Sequence, residues 1–353
     1  MPLLARMLAA PLFIEVRPGA VADLGGLLAD QRIAREGRIA VVVGPGQGES
    51  VCADLAIEAA QIFRAKEGSY EAAVSLGQQL RAGAFEAVAG IGGGRTIDVT
   101  KFAAHMAGIP MVAVATSLAH DGICSPMSTL QHESGPGSYG VVMPVGVLVD
   151  LDRVRQAPAA LSTAGIGDVI SNISAVADWE LAVADVGEQM DGLAAAMSRS
   201  AAQAVLHHPG AARSDEFLTV LAESLILSGI AMAVAGSSRP ASGGDHEIFH
   251  AINKLYPGTS SHGELAGVGA LFCTFLRGDQ GQAALISDCL ARHGLPRIPA
   301  DVGLSDAEFA KAVAFAPETR PGRYTVLERQ ALSEDEIADR VNEYVATYSG
   351  ADR

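Results

Sequence analysis

Up to Asp150 this chain alternates short apolar, β-branched runs with amphipathic stretches, and beyond Asp150 it does not. Residues 39–43, Ile-Ala-Val-Val-Val, are apolar throughout, as a strand covered on both faces must be. Ala, Leu, Ile and Phe at helical spacing predict a helix over 49–64, and a second is predicted over 70–82. Glu86 to Ile91 reads as the next strand, 95–107 as a helix, Pro110 to Ala115 as a third strand and Val145 to Val149 as a fourth. Strand and helix in alternation mean βαβ units and a parallel sheet.

Past Asp150 an Ala- and Leu-rich helical pattern takes over, broken at Gly165–Gly167, Pro209-Gly210, Arg239 to Gly244 and Pro257-Gly258. The last twenty or so residues carry many charges and predict a solvated terminal helix. At ~150 residues per domain, 353 residues make two. The expected fold is an α/β, Rossmann-like N-terminal domain over 1–155 and an all-α C-terminal domain over 156–353.

Charge narrows the partners. With 25 Lys+Arg against 40 Asp+Glu, the net charge of −15 repels nucleic-acid backbones. A phosphorylated substrate would need a local cluster of Arg, Lys or backbone N–H groups. The four cysteines, Cys52, Cys124, Cys273 and Cys289, form no CxxC pair and read as reduced thiols in the cytoplasm. The N-terminus MPLLARMLAAPLFIEV has a faint signal-peptide look, but its apolar stretch is short, and Glu15 and Arg17 follow in a strand-like segment. The longest apolar run, Leu225 to Gly236, falls short of the ~20 residues of a membrane helix and predicts a buried core helix.

Three constellations carry chemistry. Gly92-Gly93-Gly94-Arg95-Thr96-Ile97-Asp98 follows a strand and opens a helix. Glycines there let backbone approach a pyrophosphate, and the helix N-terminus offers N–H groups to it. It is not GxGxxG, and a tight turn without a ligand would look the same. Thr116-Ser117-Leu118-Ala119-His120-Asp121, with Ser125 beyond, lies where a strand ends, the side of a parallel sheet on which ligands bind.

The third lies in the helical half. Gly165-Ile166-Gly167-Asp168 reads locally as the opening of a helix, with Asp168 as its N-cap. A predicted helix over 242–253 puts His246 and His250 on one face, and His262 follows at the start of another. Three of nine histidines in so short a span, close to glycines, suit a Lewis-acid cation better than core packing. His246-Glu247-Ile248-Phe249-His250 also matches the zinc-peptidase pattern HExxH. That chemistry needs a third ligand. Asn253 and Tyr256 stand where one class wants Gly and His, and Glu264 is a close-set candidate for the other.

Taken together, GIGGGRTIDVTK (90–101), TSLAHDGICSP (116–126), GIGDVISNISAVADWELA (165–182), SSRPASGGDHEIFHA (237–251), HGELAGVG (262–269) and RPGRYTVLE (320–328) resemble the sn-glycerol-1-phosphate dehydrogenase family. That family sits within the iron-type alcohol dehydrogenase and dehydroquinate-synthase-like superfamily. The matching stretches run in family order through about two-thirds of the chain.

The resemblance implies NAD or NADP as cofactor, contacted by Gly94, Arg95, Thr96, Ile97 and Asp98, by Thr116, Ser117, Leu118 and Ala119, and by Ser125. It implies one divalent metal on Asp168, His246 and His262, zinc first, with iron or nickel as alternatives. Asp121 and His250 would meet the substrate, a small phosphorylated three-carbon ketone, with His250 or His120 relaying a proton. Arg239 and Lys254, which flank the histidine helix, are the sequence candidates for the phosphate. A cytoplasmic homo-oligomer that binds neither membrane nor nucleic acid is expected.

Two departures stand out. Asp245 precedes the first histidine where the family commonly has Glu, and the connection Asn253 to Ser261 is unlike the family forms. The strand 39–43 ends in Gly44-Pro45-Gly46-Gln47, with no carboxylate before Glu49, so NADP is expected to be tolerated beside NAD. Competing readings are a glycerol or polyol dehydrogenase of the same fold, a metal-dependent sugar-phosphate cyclase, and a non-catalytic metal- or nucleotide-binding protein.

Overall fold

The structure, a computed structural model, describes residues 10–54, 61–133 and 135–350. The first nine residues of the signal-like N-terminus lie outside them. The chain divides into two compact units, Met1–Leu161 and Ser162–Arg353.

The first unit is a six-stranded parallel sheet in the order β1-β8-β5-β4-β2-β3. Its strands are β1 (Phe13–Arg17), β2 (Ile39–Val43), β3 (Ile62–Arg64), β4 (Ala87–Gly92), β5 (Met111–Ala115) and β8 (Gly146–Asp150). β6 (Met127–His132) and β7 (Gly135–Gly140) form a separate antiparallel pair. The helices are α1 (Leu24–Leu28), α2 (Gln47–Asp54), α3 (Tyr70–Ala82), α4 (Gly94–Ala107) and α5 (Leu151–Gln156). Val41, Val43, Ala89, Ile91, Val114 and Leu148 from the sheet form one core with Leu24, Leu28 and Val51. The chain leaves β2 toward β3 on one side and returns to β4 on the other. The sheet therefore has its switch point between β2 and β4, where ligands of such sheets bind.

Two elements differ from the sequence expectation. The helix predicted over 49–64 is described as far as Asp54, residues 55–60 are outside the described set, and Ile62–Arg64 is an edge strand paired with Val41–Val43. A short apolar run has no periodicity of its own, and the ladder offered by β2 decides it. The β6–β7 hairpin had no apolar alternation to announce it. Tyr139 packs its ring 5.2 Å from Tyr70 and 5.4 Å from Phe102, and this tertiary contact holds a polar, Gly-rich pair in place.

The second unit is helical: α6 (Ala159–Val186), α7 (Gly192–His207), α8 (Asp215–Ala235), α9 (Gly244–Leu255), α10 (His262–Leu276), α11 (Gln280–Arg292), α12 (Asp306–Phe315), α13 (Val326–Gln330) and α14 (Glu334–Tyr348). By length and composition α6 and α8 could cross a membrane, but 72% and 61% of their apolar windows are buried inside the structure. The apolar run 225–236 is the end of α8, which starts ten residues earlier on the Ser214 cap. Burial rather than length makes it a core helix. α14 is not solvated all round: Ile337, Val341 and Tyr344 are buried, with the Tyr344 ring 5.1 Å from Phe272.

The break predicted at Gly165–Gly167 is absent. These glycines lie inside the 28-residue α6, and Asp168 is an interior residue rather than an N-cap. They serve a close crossing. A Cβ on Gly167 would come 2.2 Å from the Gly263 carbonyl oxygen, and one on Gly263 would come 1.7 Å from that of Ala164. Only glycine allows α6 and α10 this approach.

Candidate metal centre

The crossing of α6 and α10 brings Asp168 to His262. Ser261 and Glu264 fix the start of α10: the Glu264 carboxylate accepts from the Ser261 N–H at 3.0 Å and from the Ser260 and Ser261 hydroxyls at 2.6 Å. Glu264 is thereby committed to the cap, and His262 becomes the first residue of the helix. α9 packs on α10 through another glycine, since a Cβ on Gly269 would lie 2.7 Å from the Asp245 carbonyl oxygen. Asp178, buried and paired with Arg277 at 2.6 Å, accepts from Gly244 N–H at 2.8 Å and anchors the start of α9.

These constraints converge on Asp168, His246 and His262, which offer one ligand atom each, all within 4.8 Å of one another. His262 Nε2 is 2.9 Å from Asp168 Oδ1, and His246 Nε2 is 3.3 Å from His262 Nε2. Asp168 and His246 are buried. His246 Nδ1 lies 2.5 Å from Asp245 Oδ1. That bond places the ring proton on Nδ1, so Nε2 turns a lone pair toward the other two donors. Two imidazole nitrogens and a carboxylate oxygen around one point fit a divalent cation and leave positions open for a substrate.

His250, one turn along α9, is not part of this group. Its Nε2 accepts from Arg320 Nη2 at 2.7 Å, and Arg320 and Arg323 share Ser238 Oγ at 3.1 and 3.0 Å. Burial, and then the Arg320 guanidinium, push the His250 imidazole down to about 2, so the ring is neutral and carries its proton on Nδ1. Glu247 is not a member of the cation group. It is fully buried and takes a hydrogen bond from Thr325 Oγ1 at 3.1 Å. Burial and then the Glu328 charge raise its carboxyl to about 9. Neither the second histidine nor the glutamate of HExxH is placed for peptidase chemistry.

The two sequence candidates for phosphate binding are otherwise engaged. Arg239 is buried, paired with Glu188 through Nε at 2.8 Å and through Nη2, and it donates to the Tyr324 carbonyl at 2.9 Å. Lys254 is exposed, with its amine 4.8 Å from the centre of the Phe315 ring. Sequence reasoning passed over Arg320, Arg323 and Ser238. Their stretches were matched to a family, but nothing local marks them as meeting in space.

In the first unit, the glycine turn sits at the switch point. A Cβ on Gly44, at the end of β2, would lie 2.2 Å from Thr96 Oγ1, and one on Gly92 would lie 2.7 Å from it. Gly93 is the N-cap of α4 and brings no side-chain oxygen of its own to the first amides of that helix. Gly94 opens α4 and Arg95 is exposed, whereas Thr96, Ile97 and Asp98 are buried and offer a ligand mainly backbone. Thr116, Ser117 and Leu118 are buried just past β5, and Ala119 is half-buried. Asp121 opens a short 3-10 turn whose carbonyl oxygen accepts from Cys124 and Ser125 N–H at 3.0 Å each. Ser125 is buried, and its carbonyl takes the Lys101 amine at 3.1 Å. His120 Nδ1 accepts from Gly122 N–H at 3.0 Å.

Residues 15–158 match the iron-containing alcohol dehydrogenase family. The chain is 34% identical over 342 residues to a glycerol-1-phosphate dehydrogenase (NAD(P)+) of Methanothermobacter thermautotrophicus, covering 95% of this chain and 97% of that one. It is 35% identical over 331 residues to the protein of the same name from Hyperthermus butylicus, covering 92% and 94%. Among solved structures, a probable glycerol dehydrogenase from Sinorhizobium meliloti superposes with a TM-score of 0.81 at 19% identity, over 98% of this chain and all of that one, a likeness of fold.

Proposed function

The chain belongs to the glycerol-1-phosphate dehydrogenase family, and from that premise we infer that it interconverts dihydroxyacetone phosphate and sn-glycerol 1-phosphate with NAD(P) and one divalent metal. The observation that carries the reading is the gathering of Asp168, His246 and His262 from three helices.

In this reading those three side chains hold the cation, and the turn Gly92–Asp98 with Thr116–Ala119 and Ser125 holds the dinucleotide. When bound, the cation supplies Lewis acidity at the ketone oxygen and the dihydronicotinamide supplies hydride. The protein's own work is positioning and proton handling. Asp245 keeps His246 in the ligating tautomer. His250 is held neutral, with Nε2 engaged by Arg320, so its Nδ1–H is a hydrogen-bond donor that orients the substrate oxygen, and the proton that completes the reaction is drawn from solvent. Asp121 is assigned to substrate binding.

Zinc is the first expectation for the metal. A reducing, cytoplasmic setting agrees with four free, buried cysteines. Exposed Val183, Val186 and Leu193 support a homo-oligomer.

The test is NAD(P)H oxidation with dihydroxyacetone phosphate on metal-stripped and metal-restored protein. Activity should vanish on stripping and return with the metal. Turnover of glycerol without turnover of the phosphate ester would overturn the reading in favour of a polyol dehydrogenase.

A further inference from the structure

Three guanidiniums crowd the space between the 237–243 connection and the segment after α12, and they are not equivalent. Arg239 has its carboxylate, Glu188. Among the described residues, Arg320 and Arg323 have none within ion-pair distance, although both are half-buried in a chain of net charge −15. Each guanidinium has five N–H donors and spends two of them here. Arg320 bonds Ser238 Oγ and His250 Nε2, and Arg323 bonds Ser238 Oγ and the Ser242 carbonyl. Ser238 Oγ accepts from both and keeps its own hydrogen for another acceptor. Ser242 Oγ, buried four residues along the chain from Ser238, has no hydrogen-bond partner among the described residues.

Two like charges held side by side repel, and burial adds to the cost. Burial, then Arg320 and Arg239, lower the Arg323 guanidinium to about 10. A purely structural strap would not need two cations on one hydroxyl. A dianion would neutralise both and take up the unspent donors.

The position is as telling as the charge. His250 bonds Arg320, and the Phe249 ring lies 4.9 Å from that of His250 and 4.3 Å from that of His262. His246 and His250 stand one turn apart on α9, ~6 Å of helix rise. The cationic pair therefore lies one imidazole away from the metal ligands, a reach suited to a short phosphate ester.

We propose that Arg320 and Arg323, joined through the Ser238 hydroxyl, form the subsite that takes the substrate's phosphate. The inference rests on the function given above and assigns to it residues that the sequence had left to Arg239 and Lys254. Arginine suits the task because its planar fork meets a phosphate with paired N–H bonds.

The test uses metal-loaded protein and two readouts. Calorimetry measures binding of inorganic phosphate to the wild type, Arg320→Gln and Arg323→Gln. Kinetics gives the ratio of kcat/KM for dihydroxyacetone phosphate to that for dihydroxyacetone. Each variant should keep stoichiometric metal, and both phosphate affinity and the ratio should fall about ten- to a hundredfold, as for a lost charge-assisted pair. Unchanged phosphate affinity, or an equal loss on both substrates, would overturn the subsite. Should a glutamine variant lose its metal, the lysine variant takes its place: partial loss supports the subsite and no loss overturns it. A wild type that binds phosphate through these residues yet never reduces the ester would sink the functional reading and leave the subsite standing.

Discussion

His246 and Asp245 are neighbours in sequence that also bond each other, Nδ1 to Oδ1 at 2.5 Å, and the metal-facing nitrogen of His246 owes its lone pair to that bond. Asp245 is itself fully buried, and its Oδ1 also accepts from the Gly243 N–H at 3.2 Å. Asp245→Asn keeps the shape and loses the charge. Metal affinity should fall about 10- to 100-fold, as when a ligand's supporting partner is removed. Competition with a chelator of known affinity measures it, and an unchanged constant would refute the supporting role.

His246→Ala and His262→Ala should each abolish stoichiometric metal together with activity. His250→Ala should keep the metal and lose turnover, because Arg320 then loses its acceptor while the three ligands stay. Elemental analysis beside a single-turnover assay separates the two classes. Metal lost from the His250 variant would put that ring among the ligands after all.

The HExxH pattern and the break at Gly165–Gly167 show where sequence stopped being legible. The βαβ frame of the first unit was readable because buried parallel strands are apolar along their whole length, as Val41–Val43 and Val112–Val114 are. Residue spacing alone could not separate His246 from His250, since both lie on one face of α9. What separates them is what meets that face: α6 and α10 at one, the 320–323 segment at the other. Asp168 looked like a cap because glycines usually end helices. Here they admit a neighbouring backbone. Arg320 and Arg323 were invisible as a pair with Ser238, more than eighty residues away in the chain.

Gly263→Ala should be far more harmful than a glycine-to-alanine change on an open helix face. The added carbon would meet the Ala164 carbonyl at 1.7 Å, so α6 and α10 must part. A loss of about 1–3 kcal/mol is expected from overpacking, together with a weakened metal site. Denaturant unfolding and metal titration on the same variant check both. Gly192→Ala, at a position with open space around it, is the control.

Glu247 gives a pH-dependent prediction. Folded, its carboxyl holds a proton up to about 9; unfolded, it lets go near 4.5. Between those values the unfolded chain binds fewer protons than the folded one, so this group's contribution makes stability fall as pH rises, by at most ~1.4 kcal/mol per pH unit. Glu247→Gln removes that loss. In metal-free protein its stability relative to wild type should improve from pH 5 to pH 8. A difference that stays flat across the range would show that Glu247 is ionised when folded.

Cofactor choice follows from the end of β2. Val43 is followed by Gly44, and the nearest downstream carboxylate, Glu49, is exposed and paired with Arg64 at 2.9 Å. With no unpaired carboxylate there among the described residues to repel a 2′-phosphate, kcat/KM for NADPH should lie within about tenfold of that for NADH. A preference for NADH much beyond that would assign Glu49 to the ribose.

Lys101 lies on α4 with almost none of its surface exposed, and its amine bonds the carbonyls of Gly122 and Ser125 at 2.7 and 3.1 Å. The stretch that carries Asp121 is thus bolted to the helix that opens at Gly94, and the two must travel together. An amine so enclosed is also a reporter. It can meet an acylating reagent only when that stretch lifts, so its labelling rate would clock the opening of this end of the molecule.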